Sequence, residues 1–106
     1  MAAKFLEKKG YEIVERNWYN RYGEIDLVCR QGEETVFVEV KTMAGDSFGS
    51  PEDKIDKNKM KRLAKNAIAC AAIKKIDIYR IDAVCITLDE VSNEAKTINH
   101  YENITI

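Results

Sequence analysis

The sequence has few of the residues that mark secreted, zinc-binding or membrane proteins. It contains one proline, one histidine and three widely separated cysteines, Cys29, Cys70 and Cys85, among 106 residues. An odd number of cysteines without metal-ligand spacing predicts buried thiols in a reducing compartment, which favours the cytoplasm. No run of about 18 apolar residues is present, so no membrane-spanning helix is expected. Residues 1–7 also lack the apolar centre of a signal peptide.

The charge balance excludes a strongly basic, histone-like protein. Lysine and arginine number 17 against 18 acidic residues, a formal net charge of -1. A neutral total still permits a local basic face for nucleic acid. A length of 106 residues predicts one domain, residues 1–106. We find no Ser/His/Asp triad and no glycine-rich phosphate loop in the sequence.

Hydrophobic periodicity predicts an α/β fold in which a mixed central sheet is flanked by helices. We expect helices at 2–9 and 50–75, a hairpin tip at 18–23, a loop at 43–50, and strands at 11–17, 24–30, 35–42, 78–88 and 97–106. The order is α-β-β-β-α-β-β, and the long helix lets the fourth strand run parallel to the third. The buried stripe of that helix is predicted to comprise Met60, Leu63, Ala64, Ala67, Ile68 and Ala71.

The third strand carries the most informative charges. Glu39 and Lys41 are two residues apart in an otherwise apolar strand, so both point to one face. Asp26 shares a face with Glu24 in the preceding strand, opposite Ile25, Leu27 and Cys29. Hairpin pairing then brings Asp26 near Glu39. Two convergent carboxylates favour a hard divalent cation, beside which Lys41 can hold a water or stabilise phosphate charge.

Other interpretations of these residues stay open from the spacing alone. Glu39 and Lys41 can instead form a simple ion pair on a half-exposed strand. Glu24 is either a direct metal ligand or a contact in the surrounding shell. The aromatic residues near the hairpin tip either stack on unpaired bases or pack over the sheet edge; they are Trp18, Tyr19 and Tyr22.

The two charged blocks together resemble a known family. Residues 16–18 (Arg-Asn-Trp), 21–28 (Arg-Tyr-Gly-Glu-Ile-Asp-Leu-Val) and 36–42 (Val-Phe-Val-Glu-Val-Lys-Thr) closely resemble the YraN-like family of small proteins. That family looks like the Holliday-junction-resolvase branch of the restriction-endonuclease-like, PD-(D/E)xK superfamily. The resemblance continues through residues 48–51 (Phe-Gly-Ser-Pro), Lys59, residues 62–63 and residues 80–84.

The resemblance implies a metal-dependent nuclease. Its metal-binding aspartate falls on Asp26, its second acid on Glu39 and its lysine on Lys41, with the Val40 carbonyl as a further ligand for Mg²⁺ or Mn²⁺. It implies DNA as partner, branched or single-stranded, no membrane association, and a homodimer as in related resolvases. Family members usually carry an upstream glutamate in the first helix. Glu7 does not match that position, so we expect the N-terminal helix to be truncated.

Basic residues cluster at the start of the long helix. Lys54, Lys57, Lys59, Lys61, Arg62 and Lys65 fall within twelve residues. Such a cluster suits a phosphate backbone beside an acidic pocket, although taken alone it is more typical of a solvated helix face. The resemblance adds weight to Lys59 and Arg62, with Lys57 and Lys61 beside them.

Three classes of function therefore compete. The first is a metal-dependent DNA endonuclease or resolvase-like phosphodiesterase. The alternative is a non-catalytic nucleic-acid-binding module that retains the nuclease fold, and a protein-binding scaffold is a third possibility.

Overall fold

The computed structural model describes residues 1–45, 47 and 49–104. Its elements are α1 (Ala2–Lys8), β1 (Glu12–Asn20), β2 (Gly23–Gln31), β3 (Glu34–Ala44), a 3₁₀ helix (Pro51–Lys54), α2 (Lys57–Lys74), β4 (Tyr79–Leu88) and β5 (Ala95–Tyr101). The predicted α/β class and order are confirmed. Phe48, part of the family resemblance, and the last two residues of the predicted final strand lie outside the described residues.

The strands form one mixed sheet in the order β1-β2-β3-β4-β5. β3 and β4 pair in parallel, and every other neighbouring pair is antiparallel. The parallel pair needs a crossover, which α2 supplies, as the sequence predicts. The hairpin between β1 and β2 is tighter than expected: residues 18–20 continue β1, so Arg21 and Tyr22 alone form the turn between Asn20 and Gly23.

The sheet has an apolar cluster on each face. On the α1 side, Leu6 packs with residues of β2, β3 and β4 that include Leu27, Val38 and Ile86. On the α2 side, Phe37 and Val28 pack against Ala67, Cys70 and Ala71. The three cysteines are buried free thiols, as predicted. Burial raises the pKa of the Cys29 thiol to about 12, which keeps it in the unreactive protonated form.

The long predicted helix is divided in two. The 3₁₀ helix ends before Ile55, and α2 begins after Asp56, whose side chain accepts a hydrogen bond from the backbone N–H of Lys59 at 2.8 Å. Asp56 thus acts as the N-cap of α2, whereas the predicted helix over residues 50–75 would begin at Ser50. Ser50 and Asp53 do pair, with the Ser50 N–H donating to Asp53 Oδ2 at 3.0 Å, but they close only the short 3₁₀ helix.

The buried stripe of α2 also differs from the prediction. Ile68 is 61% exposed, whereas Asn66 and Cys70 are buried with Leu63, Ala67 and Ala71. The prediction placed Ile68 in the buried stripe on the basis of its apolar character alone. The change matters because it puts a polar amide, that of Asn66, against the sheet.

A polar cluster on the α1 side ties the last strands to the start of the chain. Asp82 is fully buried and accepts hydrogen bonds from the Arg80 guanidinium, the Tyr11 hydroxyl and the Asn103 N–H. It also lies 2.8 Å from His100 Nε2. Burial raises the pKa of the Asp82 carboxyl, but these partners outweigh burial and hold it below its usual range. The Arg80 and Asp82 of the family resemblance therefore have a structural role.

The position of the N-cap leads to a stability prediction. We expect Asp56→Ala to lower the free energy of unfolding by about 1 kcal/mol, because the first turn of α2 loses its side-chain acceptor. Asp77→Ala, which removes the same charge from an exposed residue outside any helix, is the matched control. Urea unfolding of both variants is the measurement. Equal losses would show that α2 does not begin at Asp56.

Candidate metal and phosphate site

The candidate site lies where β2 and β3 separate. Pairing between the two strands runs from Gln31–Glu34 to Leu27–Val38 and goes no further. Beyond Leu27, the Asp26 carboxylate replaces the missing backbone partner, because its Oδ2 accepts the Val40 N–H at 2.8 Å. The separation also corrects one prediction: Ile25 joins the α2-side cluster, while Leu27 and Cys29 stay on the α1 side.

The conformation of β1 changes opposite the same point. Asn17 has φ of 53°, a left-handed conformation that is uncommon within a strand but tolerated by asparagine. It lies between the paired residues Arg16–Leu27 and Trp18–Ile25, directly across from Asp26. Irregular backbone in two neighbouring strands thus opens the sheet beside Asp26.

Glu39 lies next to Asp26 on β3 and is almost entirely buried. Its side chain is 2% exposed. Lys59 Nζ of α2 lies 3.0 Å from Glu39 Oε2, and Lys41 Nζ lies 3.8 Å from the same oxygen. The structure therefore brings together Asp26, Glu39 and Lys41, as the spacing predicted, and adds Lys59 to them.

The protonation of Glu39 is set by opposing effects. Burial is the largest and raises its pKa, and the charge of Asp26 and a hydrogen bond with it raise the pKa further. The Lys59 ammonium lowers it, but only in part. The net effect raises the pKa of Glu39 to about 7. Ionising a buried carboxyl with this pKa costs free energy, and a bound divalent cation would lower that cost.

The donor set for a metal comprises two carboxylates and one carbonyl. The N–H and C=O of one strand residue point to the same edge of the strand. Since the Val40 N–H faces Asp26, the Val40 carbonyl faces β2 as well. In the part of the chain that the structure describes, no third Asp, Glu, His or Cys side chain joins them. Mg²⁺ is commonly bound by one or two carboxylates, with waters and substrate phosphates completing its shell, so these residues fit it.

Two open cavities flank the acid pair. One, of about 400 Å³, is bordered by Asp26, Val40, Arg16 and Asn17 together with the first residues of α1. The other, of about 120 Å³, lies between the hairpin tip and α2. Glu24 lines this second cavity, whose walls include neither Asp26 nor Glu39, and its carboxylate accepts a hydrogen bond from Tyr19.

The predicted phosphate-binding residues divide into two pairs. Lys59 and Arg62 line the cavity beside Glu24. Lys57 and Lys61 are each two residues from Lys59, so they project from roughly the opposite side of α2. Sequence reasoning did not separate these pairs, because all four lie in one basic run. It also did not assign Arg16 and Asn66 to the two cavities that they line. In the sequence, Arg16 is marked only by its position near Trp18 and Tyr19, and Asn66 only as a polar residue in the apolar stripe of α2.

The aromatic residues and the single histidine have separate locations. Trp18 is partly buried against the α2-side cluster, with Lys74 over its ring. Tyr19 and Tyr22 are exposed by 71% and 42%, respectively. The His100 side chain is buried against Asp82, in agreement with a structural role.

Known relatives identify the family. The sequence matches the uncharacterised protein family UPF0102 over residues 1–86. The chain belongs to this family. UPF0102, the YraN family, is part of the restriction-endonuclease-like superfamily, and the mixed five-stranded sheet with two helices is compatible with that fold.

Individual UPF0102 proteins show how far the likeness extends. A UPF0102 protein of Thermotoga maritima is 41% identical over 105 residues, which are 98% of this chain and 89% of that protein. One from Syntrophus aciditrophicus is 40% identical over 90 residues, or 83% of this chain and 71% of the relative. One from Syntrophomonas wolfei is 53% identical over 68 residues, 64% of this chain, and that match spans 59% of the relative's length.

The structure also bears on the membrane expectation. Within residues 1–45, 47 and 49–104, neither helix combines the length and apolar character needed to cross a bilayer.

The raised pKa of Glu39 predicts a pH-dependent stability. Without divalent metal, the folded state binds a proton more tightly than the unfolded state, whose glutamate titrates near 4.5. Stability should therefore fall as pH rises from about 4.5 to about 7, and level off above that range. We expect Glu39→Gln to lose this slope. The measurement is urea unfolding from pH 5 to 8 in chelator.

Glu33→Gln, at an exposed position in the turn between β2 and β3, is the control and should keep the wild-type slope. A wild-type slope in Glu39→Gln would show that Glu39 does not titrate in this range.

Proposed function

We propose that this protein is a divalent-metal-dependent nuclease that hydrolyses DNA phosphodiester bonds. One observation carries the proposal: Asp26 and Glu39 meet where β2 and β3 separate, with Lys41 and Lys59 within 4 Å of Glu39. Membership of the restriction-endonuclease-like superfamily supports the same reading of these residues. The substrates we propose are branched or single-stranded DNA.

Asp26, Glu39 and the Val40 carbonyl would hold Mg²⁺ or Mn²⁺. A bound cation would polarise the scissile phosphate and lower the pKa of a coordinated water. Asp26 is fixed for this task by the Val40 N–H. Glu39 is fixed by burial and by Lys59, whose ammonium favours the ionised carboxylate that a metal requires.

Lys41 is the residue best placed to act on the phosphate. Its side chain is about a third exposed, while the neighbouring Glu39 is buried. Its ammonium can therefore reach a phosphate oxygen or the attacking water without leaving the site. A cation there stabilises the negative charge that develops on the phosphate during attack.

DNA would lie along the start of α2. Lys59 contacts Glu39, and both Lys59 and Arg62 line the cavity beside the hairpin tip, so they are the first candidates for backbone phosphates. Lys57 and Lys61, on the other side of the helix, remain candidates for a strand that passes further from the site.

A second function is a binding module without catalysis. The specific observation in its favour is the 3.0 Å pair between Lys59 and Glu39, which satisfies the buried carboxylate without a metal. The described residues also supply only two of the acidic ligands. The two functions make opposite predictions for Asp26.

The metal prediction is tested by calorimetric titration with Mn²⁺. We expect one site in the wild-type protein and none detectable in Asp26→Asn, because the amide removes a negative ligand while keeping its shape. Asp77→Asn is the matched control and should bind as the wild type does. Absence of binding in the wild type would favour the binding module.

Cleavage of branched, nicked and single-stranded DNA completes this test. Asp26→Asn should abolish cleavage and leave DNA binding intact. Lys41→Ala should keep the metal and reduce the rate by about 10²–10³, as removal of one electrostatic donor typically does. An absence of cleavage of all three substrates in Mg²⁺ and Mn²⁺ would contradict the nuclease assignment.

The orientation of α2 predicts which cations contact DNA. Arg62→Ala should weaken binding and reduce the salt slope of the logarithm of affinity by about 1, because one phosphate contact is lost. Lys61→Ala, on the opposite side of the helix, should change the slope less. Lys4→Ala, on the exposed side of α1, serves as the control. Fluorescence anisotropy at several salt concentrations is the measurement, and equal slopes for the Arg62 and Lys61 variants would refute this orientation.

A further inference from the structure

A second polar pocket lies beside the acid pair, between the hairpin tip and the inner face of α2. Its volume is about 120 Å³. Its walls are formed by Tyr22, Gly23, Glu24, Lys59, Arg62, Leu63 and Asn66. Lys59 belongs to both sites, since its ammonium lies 3.0 Å from Glu39. Whatever occupies the pocket is therefore adjacent to the scissile phosphate of the proposed reaction.

Asn66 is the unusual residue of this pocket. It is 2% exposed on the apolar face of α2, among Leu63, Ala67 and Cys70. Its Oδ1 is buried and has no hydrogen-bond partner among the residues that the structure describes. A buried polar atom without a partner destabilises a fold, and an apolar residue of similar shape would avoid this. The fold alone thus gives no reason for an asparagine at this position.

The Asn66 amide is able to face the pocket. A β-carbon at Gly23 would lie 3.9 Å from Asn66 Nδ2, an ordinary contact distance, so the hairpin tip lies against the amide with no side chain of residue 23 between them. The terminal torsion of an asparagine is soft, and a half-turn exchanges its oxygen and nitrogen. A ligand in the pocket can therefore meet either a donor or an acceptor from Asn66.

The other walls add an acceptor and a cation. Glu24 contributes a carboxylate, which accepts a hydrogen bond from Tyr19 and retains further lone pairs. Arg62 is exposed and makes no hydrogen bond or ion pair with any described residue. Together with Asn66, this set offers acceptors to an amino group and a cation to a phosphate.

We propose that this pocket binds a single unpaired nucleobase that carries an exocyclic amino group. This inference deepens the proposed function, because the base would belong to the nucleotide whose phosphate lies at Asp26 and Glu39. Glu24 and Asn66 accept from the amino group, Arg62 contacts the flanking phosphate, and Tyr22 borders the opening. Cytosine is favoured over thymine, which carries a carbonyl oxygen where cytosine carries its amino group.

The size of the pocket limits what it can admit. A closed cavity of about 150 Å³ accommodates a benzene ring. This pocket of about 120 Å³ is smaller but open to solvent, so the pairing edge of one base can enter while the rest of the ring stays outside. A stacked base pair exceeds that space. The pocket therefore selects a nucleotide that is unpaired or has left its stack, the form in which bases are read by their pairing edges.

The test compares dCMP with dTMP by NMR titration of ¹⁵N-labelled protein without divalent metal. We expect dCMP to bind at least about fivefold more tightly than dTMP and to shift the side-chain amide signals of Asn66. In Asn66→Leu this preference should disappear, while the thermal unfolding temperature stays equal or rises because the unpartnered amide is gone. Asn58→Leu, in the exposed first turn of α2, is the matched control and should keep the preference.

Equal affinity for both nucleotides in the wild type would overturn the proposal, and so would an unchanged preference in a folded Asn66→Leu variant. If that variant fails to fold, Glu24→Leu replaces it, since the same loss of preference is expected when the carboxylate acceptor is removed. A ten-nucleotide dT strand carrying one dC, compared with the same strand carrying one abasic site, then tests whether the base is taken from DNA. Equal affinity for these two strands would contradict that source.

The proposed nuclease function fails separately. If Mn²⁺ binding and cleavage are absent but dCMP is preferred through Asn66, the pocket stands and the catalytic assignment falls. If cleavage occurs and the two nucleotides bind with equal affinity, the nuclease function is supported and the nucleobase pocket is ruled out.

Discussion

The hydrogen bond from the Val40 N–H to the Asp26 carboxylate is the interaction on which the site depends. It ends the pairing of β2 with β3 and fixes the aspartate between the two strands. If a backbone carbonyl of β2 accepted the Val40 N–H instead, the pairing of β2 with β3 would continue and the two strands would not separate here. Because a side chain supplies the acceptor instead, the Val40 carbonyl and both carboxylates share one opening. The cavities on either side follow from the same separation.

Charge compensation is the second requirement of this arrangement. Glu39 is buried beside another acid, and among the described residues the two lysines at its Oε2 oppose the cost of its ionisation. Lys59 comes from the crossover helix, whose start is set by Asp56 rather than by Ser50. The break before α2 thus places Lys59 and Arg62 at the cavity beside the hairpin tip, and Lys57 on roughly the opposite side of the helix. A continuous helix from Pro51 would begin at a different residue. The Asp56 cap would then no longer set the rotation of α2 that places Lys59 beside Glu39.

The sequence was sufficient to predict the acid pair, because side-chain alternation in two apolar strands leaves few positions for Asp26, Glu39 and Lys41. The α/β class and the parallel crossover were predictable for similar reasons. The interior of α2 was not. Ile68 and Asn66 exchange the environments that their polarity suggests, and only the direction in which the helix docks decides this. The departure of Ile25 from its expected face had the same origin, since strand periodicity holds only while the strands remain paired.

The parallel pairing of β3 with β4 gives the site an order of assembly. Asp26 and Glu39 belong to neighbouring strands joined by a short turn, a contact that forms within microseconds in small hairpins. Lys59 reaches them only when the crossover helix docks, and such non-local contacts form late. A folding intermediate that contained the hairpin alone would hold the two facing carboxylates with Lys41 but without Lys59, the closer of the two lysines. Docking of the crossover helix therefore also supplies the closer of the positive charges that stabilise the acid pair. The folding cooperativity of this small protein is thus linked to the chemistry of its site.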